Sequence, residues 1–353
     1  MMPPPPRPRA RPPRREPGPA EVSAAPGRQG VLAAVGATPL VRLDRLFPGD
    51  PTRFYAKLEA LNPGGSNKDR AALGMVLGAI ESGQLIPGKS TVIESSSGNL
   101  GVGLAQVCRL YDLRFICVVD PKTTAQNLAI LTAYGAELNT VTEADNELGD
   151  FLSARIDRVR ELVREVPNAF WLNQYANTLN AVAQERVMGE IAEQLDGEID
   201  YLFVATGTCG TIHGCARFIA ENGLSTRVIA VDAEGSAIFG EVTCHRLIPG
   251  HGAAIRSALH YDGIADSVVR MTDQDCVVGC RRLVGAEAIL SGGSSGAVVS
   301  AVSQLRAGFA DDASCVMLLP DRGERYLDTI YSDAWVEEKF GDIRHLWKEQ
   351  VAC

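Results

Sequence analysis

Short apolar runs rich in β-branched residues alternate with alanine- and leucine-rich stretches along most of the chain after residue 30. Each apolar run has the length of a buried strand, and each stretch between two runs has the length and spacing of a helix. Because parallel strands need a helical crossover, this alternation predicts an α/β fold with doubly covered, largely parallel sheets. A length of 353 residues suits about two such domains. We predict strands at 54–58, 91–94, 114–119, 137–141, 201–205, 227–232 and 315–319, and helices at 69–82, 100–111, 124–134, 148–166, 178–194 and 210–222.

The charge and composition exclude several classes of protein. A net charge of −9 excludes a generally basic nucleic-acid binder, and the chain has no apolar run long enough to span a membrane. Residues 1–29 form a proline- and arginine-rich tail that we expect to be disordered, and they lack the apolar stretch of a secretory signal. Such an arm could touch a partner or an anionic surface, but a solvated leader is the favoured interpretation. The nine cysteines include no Cys-x-x-Cys pair, so we expect neither disulfides nor a metal site, and a cytoplasmic protein.

Two motif matches indicate other chemistry. Residues 83–90 fit the Walker A pattern, but a predicted helix enters them and a strand leaves them, the reverse of a phosphate-binding loop. We interpret this segment as a surface turn. Residues 292–296 fit the G-x-S-x-G nucleophile elbow, with 287–290 as a candidate strand before it. A hydrolase would then need Asp321 and His345, and the segment around His345 is typical of an exposed helix.

Two further loops carry the chemistry that the sequence favours. In the first, at 62–70, two glycines lead into Lys68 at the start of a predicted helix, where the helix dipole favours a neutral amine. A solvated first-turn lysine is the alternative. The second loop, at 206–211, follows a predicted strand and opens a helix, so its backbone amides and threonine hydroxyls can hold one phosphate group. A plain tight turn is the alternative there.

Together with a Ser-Gly-Asn loop at 95–99, these motifs resemble those of the cysteine synthase/cystathionine β-synthase family, over about residues 33–335. The resemblance implies a fold-type II, tryptophan synthase β-like enzyme, with pyridoxal 5'-phosphate in the cleft between two doubly wound α/β domains. Lys68 would be the catalytic residue and carry the cofactor, Asn99 would bind the cofactor's ring oxygen, and Ser294 would face its ring nitrogen. The cofactor phosphate would lie on Gly207, Thr208, Cys209, Gly210 and Thr211.

The resemblance also implies where substrates bind. A substrate α-carboxylate would be held by Ser95, Ser96, Ser97 and Gly98, with Gln174 closing that side. Two segments depart from cysteine synthases: 320–327 reads PDRGERYL where they usually read PSSGERYL, and 207–211 reads GTCGT rather than GTGGT. The sequence does not explain the cysteine in the second segment.

Several segments instead resemble one branch of the family, which condenses O-phospho-L-serine with L-glutamate on the way to 2,3-diaminopropionate for siderophores or peptide antibiotics. They are 119–122, 173–177, 232–240 and 319–333. The substrates of that branch are anionic, so we expect cations in the cleft of this acidic protein. Arg155 and Arg322 are the candidates, with Tyr175 adding a hydroxyl, although Arg155 also suits a solvated helix face.

Two other functions remain open at this point: a cysteine synthase or O-phosphoserine sulfhydrylase and, more remotely, a non-catalytic cofactor-binding partner subunit. The resemblance implies a homodimer with small-molecule substrates and with no nucleic-acid or membrane partner. It also implies a large domain from 30–64 and 173–335, a small mobile domain at 65–172, and a C-terminal helix or tail at 336–353.

Overall fold

The computed structural model describes residues 30–144, 151–240 and 244–348, so the tail predicted at 1–29 lies outside the described residues. Within the described ranges, no helix is long and apolar enough to cross a membrane. The strands are β1 (Leu40–Arg42), β2 (Arg53–Leu58), β3 (Thr91–Ser95), β4 (Arg114–Val119), β5 (Glu137–Thr140), β6 (Ala169–Trp171), β7 (Tyr201–Ala205), β8 (Arg227–Ala233), β9 (Ser267–Met271) and β10 (Ser314–Leu319). The α-helices are α1 (Lys68–Glu81), α2 (Asn99–Leu110), α3 (Ala125–Ala133), α4 (Leu152–Glu165), α5 (Thr178–Gln194), α6 (Gly210–Glu221), α7 (Asp273–Glu287), α8 (Gly293–Leu305), α9 (Asp333–Phe340) and α10 (His345–Lys348).

The larger sheet has the strand order β1-β2-β10-β7-β8-β9, and its pairs are parallel except for β1 with β2. Successive strand residues point to opposite faces, so the sheet has two cores. Phe203 and Ile229 belong to a core shared with α7 and α8, whereas Leu202 and Val228 belong to a core shared with α5 and α6. Helices therefore cover both faces of this sheet, as the alternation predicts.

The smaller sheet has the order β5-β4-β3-β6 and is parallel throughout. Val92 and Phe115 share a core with residues of α1 and α2, whereas Ile93 and Ile116 share another core with α4. The strands of this sheet all lie between residues 91 and 171, and those of the larger sheet lie before and after that range. The chain thus builds two α/β sheets with helices on both faces of each.

The predicted strands and helices are confirmed, with ends that agree to within one residue except at the start of α4. There the prediction begins at 148, outside the described residues. The strand candidate at 287–290 is wrong, because α7 continues to Glu287 and ends at Ala288 with a left-handed φ of 55°. The turn at 83–90 joins the end of α1 to the amino end of β3, as predicted.

Candidate active site

A cavity of about 470 Å³ lies where β3 of the smaller sheet and β7 of the larger sheet lead into α2 and α6. Open α/β sheets bind their ligands at these carboxyl ends of strands. The cavity is lined by every residue that the sequence assigned to the site except Arg322. These lining residues are Lys68, Ser95, Ser96, Ser97, Gly98, Asn99, Arg155, Gln174, Tyr175, Gly207, Thr208, Cys209, Gly210, Thr211 and Ser294.

Lys68 is the first residue of α1 and lines the cavity. Its Nζ donates a hydrogen bond of 3.1 Å to Asn67 Oδ1, and Asn67 Nδ2 donates one of 3.0 Å to Thr211 Oγ1. Asn67 therefore links the lysine to the loop at 207–211, a role that sequence reasoning missed. Burial lowers the pKa of Lys68, while the nearby Asp321 and Glu59 act in the opposite direction. The lowered pKa increases the fraction of neutral amine that can attack a carbonyl carbon.

The loop at 207–211 turns from β7 into α6 and requires small residues. A Cβ on Gly210 would lie 2.2 Å from Asn180 Oδ1, so no side chain fits there. Cys209 has a φ of 64°, in the left-handed region that favours glycine, and its side chain is buried in the core beside α6. Burial raises the pKa of the Cys209 thiol to about 12, so the thiol stays protonated. The cysteine keeps the shape of the loop and adds a core contact, although it replaces a glycine.

The serine loop at the end of β3 is held by its neighbours. The backbone N–H of Gly101, in the first turn of α2, donates to Ser96 Oγ at 2.9 Å, and Gln174 Nε2 donates to the Ser95 carbonyl at 3.2 Å. Ser95 Oγ is buried and has no hydrogen-bond partner in the part of the chain that the structure describes. A buried polar atom without a partner is costly, so this hydroxyl suits a ligand atom.

Asn99 is part of a polar network that the sequence did not reveal. Its Nδ2 donates a hydrogen bond of 2.8 Å to Asp321 Oδ2, which also accepts one of 2.7 Å from the Tyr326 hydroxyl. The Arg325 guanidinium donates to Asn99 Oδ1 and to the Gly64 carbonyl. Burial raises the pKa of Asp321, while its bonds to Asn99 and Tyr326 act in the opposite direction. This network fixes the orientation of the Asn99 amide at the cavity wall.

The two predicted arginines differ in position. Arg155 of α4 lines the cavity and pairs with Asp120, with Nη1 and Oδ2 separated by 3.2 Å. Arg322 does not line the cavity, because it pairs with Ser291 in a β-bridge and donates its Nε to the Ala60 carbonyl at 2.9 Å. Arg325, three residues further on, lines the cavity instead. The expected cation from this segment is therefore present, but it is a different arginine.

Ser294 lies in the first turn of α8 and lines the cavity. A hydrolase triad is not assembled around it, because His345 is an exposed residue of α10 and does not line the cavity. The Asp321 carboxylate accepts from Asn99 and Tyr326, and among the described residues it accepts from no histidine. The match of 292–296 to a nucleophile elbow is therefore coincidental.

These residues fit pyridoxal phosphate. The glycine loop at the start of α6 has the form that binds a phosphate dianion, and Asn67 connects it to an amine with a lowered pKa. Asn99 and Ser294, on the starts of two other helices, supply an amide and a hydroxyl at the same cavity for a pyridine ring.

The model of the family described as "pyridoxal-phosphate dependent enzyme" matches residues 31–321. The chain belongs to this family, and pyridoxal phosphate is its cofactor. Over 310 residues the chain is 45% identical to the N-(2-amino-2-carboxyethyl)-L-glutamate synthase of Ralstonia nicotianae, an alignment that covers 87% of this chain and 91% of that protein. The predicted enzyme class and family are thereby confirmed.

Solved structures of two enzymes share the fold. The O-acetylserine-dependent cystathionine β-synthase of Helicobacter pylori superposes with a TM-score of 0.80 at 28% identity, covering 86% of this chain and 98% of that one. The cysteine synthase of Entamoeba histolytica superposes with a TM-score of 0.79 at 32% identity, covering 88% and 93%. The predicted fold-type II architecture is confirmed by these similarities.

Proposed function

We propose that this protein condenses O-phospho-L-serine with L-glutamate to give N-(2-amino-2-carboxyethyl)-L-glutamate and phosphate. The main support is the charge of the cavity wall. Five cationic side chains and two aspartates line the cavity, although the net charge of the whole chain is −9. The cations are Lys68, Lys122, Arg155, Arg246 and Arg325. Such a wall suits two anionic substrates, and the name of the Ralstonia relative, an N-(2-amino-2-carboxyethyl)-L-glutamate synthase, supports L-glutamate as the acceptor.

Bound pyridoxal phosphate supplies an electron-withdrawing ring that stabilises negative charge at the Cα of an amino-acid substrate. In this proposal Lys68 takes the proton from that Cα and later returns one, and its lowered pKa, which keeps part of the amine neutral, supports this role. The phosphate then departs from Cβ, and the amino group of glutamate forms the new bond to that carbon.

The remaining wall residues orient the substrates. The serine loop at 95–98 presents hydroxyl and amide donors to the α-carboxylate, and Gln174 holds the loop through the Ser95 carbonyl. Arg155 and Tyr175 form the neighbouring wall. We assign Arg155 to the donor phosphate because Asp120, which pairs with Arg155, also accepts from the backbone N–H of Lys122, so two cationic residues lie close together in this wall.

The proposal extends to features that stay predictions. We propose that the part formed by 65–172 moves to close the cavity over bound substrate, that the protein is a cytoplasmic homodimer, and that its product leads to 2,3-diaminopropionate for a siderophore or peptide antibiotic. Small-angle scattering of the purified protein with and without phosphoserine tests the closure and the dimer together.

The function is tested by the visible absorption of the cofactor-loaded protein. O-phospho-L-serine should shift the band, L-glutamate should restore it, and mass spectrometry should find the condensed product. A band that sulfide restores and glutamate does not would establish an O-phosphoserine sulfhydrylase. If phosphoserine leaves the band unchanged and acetylserine shifts it, the donor substrate is acetylserine and not phosphoserine.

A further inference from the structure

The segment 246–252 forms a wall of the cavity on the large-sheet side, after β8. It is held on both flanks: the carboxylate of Asp273 accepts from the backbone N–H groups of Leu247 at 2.8 Å and Ile248 at 3.2 Å. At the other flank, Gly252 donates its N–H to the Thr206 carbonyl at 2.8 Å, next to the phosphate loop. This wall is therefore fixed relative to the cofactor site.

Arg246 lies in this wall in a space that the backbone leaves for it. Gly252 has a φ of 71°, and a Cβ on that residue would lie 2.5 Å from Arg246 Nη1. The same Nη1 donates to the His251 carbonyl at 3.2 Å, which fixes the guanidinium. A glycine at 252 is thus required both by its backbone conformation and by the arginine.

Arg246 has no ion-pair partner among the residues that the structure describes. None of the carboxylates in ranges 30–144, 151–240 and 244–348 forms an ion pair with it, and its Nε is buried without a hydrogen-bond partner. Beside it, His251 is 1% exposed, lines the cavity, and has no partner for either ring nitrogen among the same residues. An arginine without an ion pair and a buried imidazole without a hydrogen-bond partner, among the described residues of one cavity wall, point to an anionic ligand group.

The cations of the cavity fall into two sets. On the small-sheet side, Arg155 pairs with Asp120, which also accepts from the backbone N–H of Lys122, and both residues line the cavity with the serine loop that would hold the first substrate. Arg246 lies on the large-sheet wall, next to the loop at 206–211. Two anionic substrates that act in turn need two such sets, because the phosphate of the first and the side-chain carboxylate of the second are carried by different molecules.

We propose that Arg246 binds the side-chain carboxylate of the acceptor amino acid and so determines the preference for an acidic acceptor. This inference rests on the proposed function, since it assigns the second substrate of the same site. A guanidinium binds a carboxylate through two parallel hydrogen bonds, which a neutral amide side chain of the same length cannot accept equally well. His251 lies beside the bound carboxylate and supplies an uncharged ring nitrogen as a further donor.

The test separates the two substrates in the cofactor-loaded protein with the Arg246→Gln variant. The concentration of L-glutamate that restores the phosphoserine-shifted band at half the maximal rate should rise roughly 10- to 100-fold, the effect expected for a lost charged hydrogen bond. The dependence on phosphoserine should change by less than about twofold. Wild type should prefer L-glutamate over L-glutamine, and the variant should lose most of that preference.

The controls identify each failure. Arg256→Gln removes an exposed arginine ten residues away, whose nearest carboxylate is 3.9 Å distant, and should behave as wild type. Arg246→Lys keeps the positive charge but lacks the two parallel donors of the guanidinium, so its half-maximal glutamate concentration should fall between those of wild type and Arg246→Gln. This conservative variant also keeps the test valid if Arg246→Gln fails to fold. An equal loss in the phosphoserine step would assign Arg246 to the phosphate and overturn the inference, as would unchanged kinetics. A wild-type protein that ignores glutamate would instead overturn the proposed function.

Discussion

The segments 62–70 and 83–90 have similar compositions, since each contains glycine, proline, serine and one lysine. The first lies beside the carboxyl end of β10, where Ser66 forms a β-bridge with Asp321, and it opens α1 with Lys68. The second lies at the amino end of β3, where Lys89 is exposed to solvent. Strand carboxyl ends lead into the starts of helices, and the amides and dipoles of these helix starts converge on one cavity. The position of each segment relative to the strand ends, and not its composition, therefore decides which lysine can react with a ligand.

The largest difference should come from removing each lysine. Lys68→Ala should lower the condensation rate by on the order of a thousandfold or more, because the variant loses both the cofactor attachment and the base. Lys89→Ala should leave the rate within about twofold, as expected for an exposed residue away from the cavity. Steady-state rates with phosphoserine and glutamate test both variants. Equal losses in the two would contradict the comparison.

A glycine of the loop at 207–211, which also lies at a strand's carboxyl end, should differ in the same way from a glycine of the turn at 83–90. Gly210→Ala places a Cβ against Asn180 and should destabilise the fold by about 1–3 kcal/mol and weaken pyridoxal phosphate binding. Gly83→Ala meets no atom within 4 Å but adopts a φ of 75°, so it should cost about 1–2 kcal/mol with cofactor affinity unchanged. Denaturant unfolding and a cofactor titration separate the two effects. Unchanged cofactor affinity in Gly210→Ala would remove the phosphate loop from the site.

A smaller effect is expected for Asp321→Asn, which removes a charge near the Lys68 amine. The carboxylate raises the pKa of Lys68, so its removal should lower that pKa further. The rate at which cofactor-free protein takes up pyridoxal phosphate depends on neutral amine, so the midpoint of its pH dependence should move to lower pH. A midpoint that stays in place or moves to higher pH would show that Asp321 does not act on Lys68.

The smallest effect should come from Ser294→Ala. This variant removes one neutral hydrogen bond at the cavity, so cofactor affinity should fall by roughly three- to tenfold while activity at saturating cofactor persists. The control is Ser303→Ala, because Ser303 lies in the same helix as Ser294 but does not line the cavity. Gly292→Ala is not a suitable control, because its Cβ would lie 2.1 Å from Asp321 Oδ1. Complete loss of turnover in Ser294→Ala would instead indicate that Ser294 acts as a nucleophile.

The sequence was sufficient to predict the strands and helices whose apolar residues follow a regular strand or helix pattern. Strand–helix alternation located the ends of most elements to within one residue, because buried parallel strands read as continuous apolar runs. It missed β1 and β6, whose three residues are too few for a period, and it also missed the strand β9 and the helix α7, despite the Thr272–Asp275 capping box of that helix. These elements depend on tertiary pairing more than on local pattern.

The site was predictable where single residues start helices and less so where distant segments meet. Lys68 and Asn99 are the first residues of helices at the cavity, and Ser294 is the second residue of another. The choice between Arg322 and Arg325 was not predictable, because a 3₁₀ turn at Glu324–Tyr326 decides which side chain reaches the cavity. The bond from Asn99 to Asp321 joins residues 222 positions apart, a separation that no local motif records.

The most direct test of the account is to reduce the cofactor-loaded protein with borohydride and map the modified peptide by mass spectrometry. Reduction makes the bond between the cofactor carbon and the lysine nitrogen permanent. One pyridoxyl group is expected, on Lys68. A group on Lys89, at the amino end of β3, or on Lys122, in the cavity wall, would contradict it.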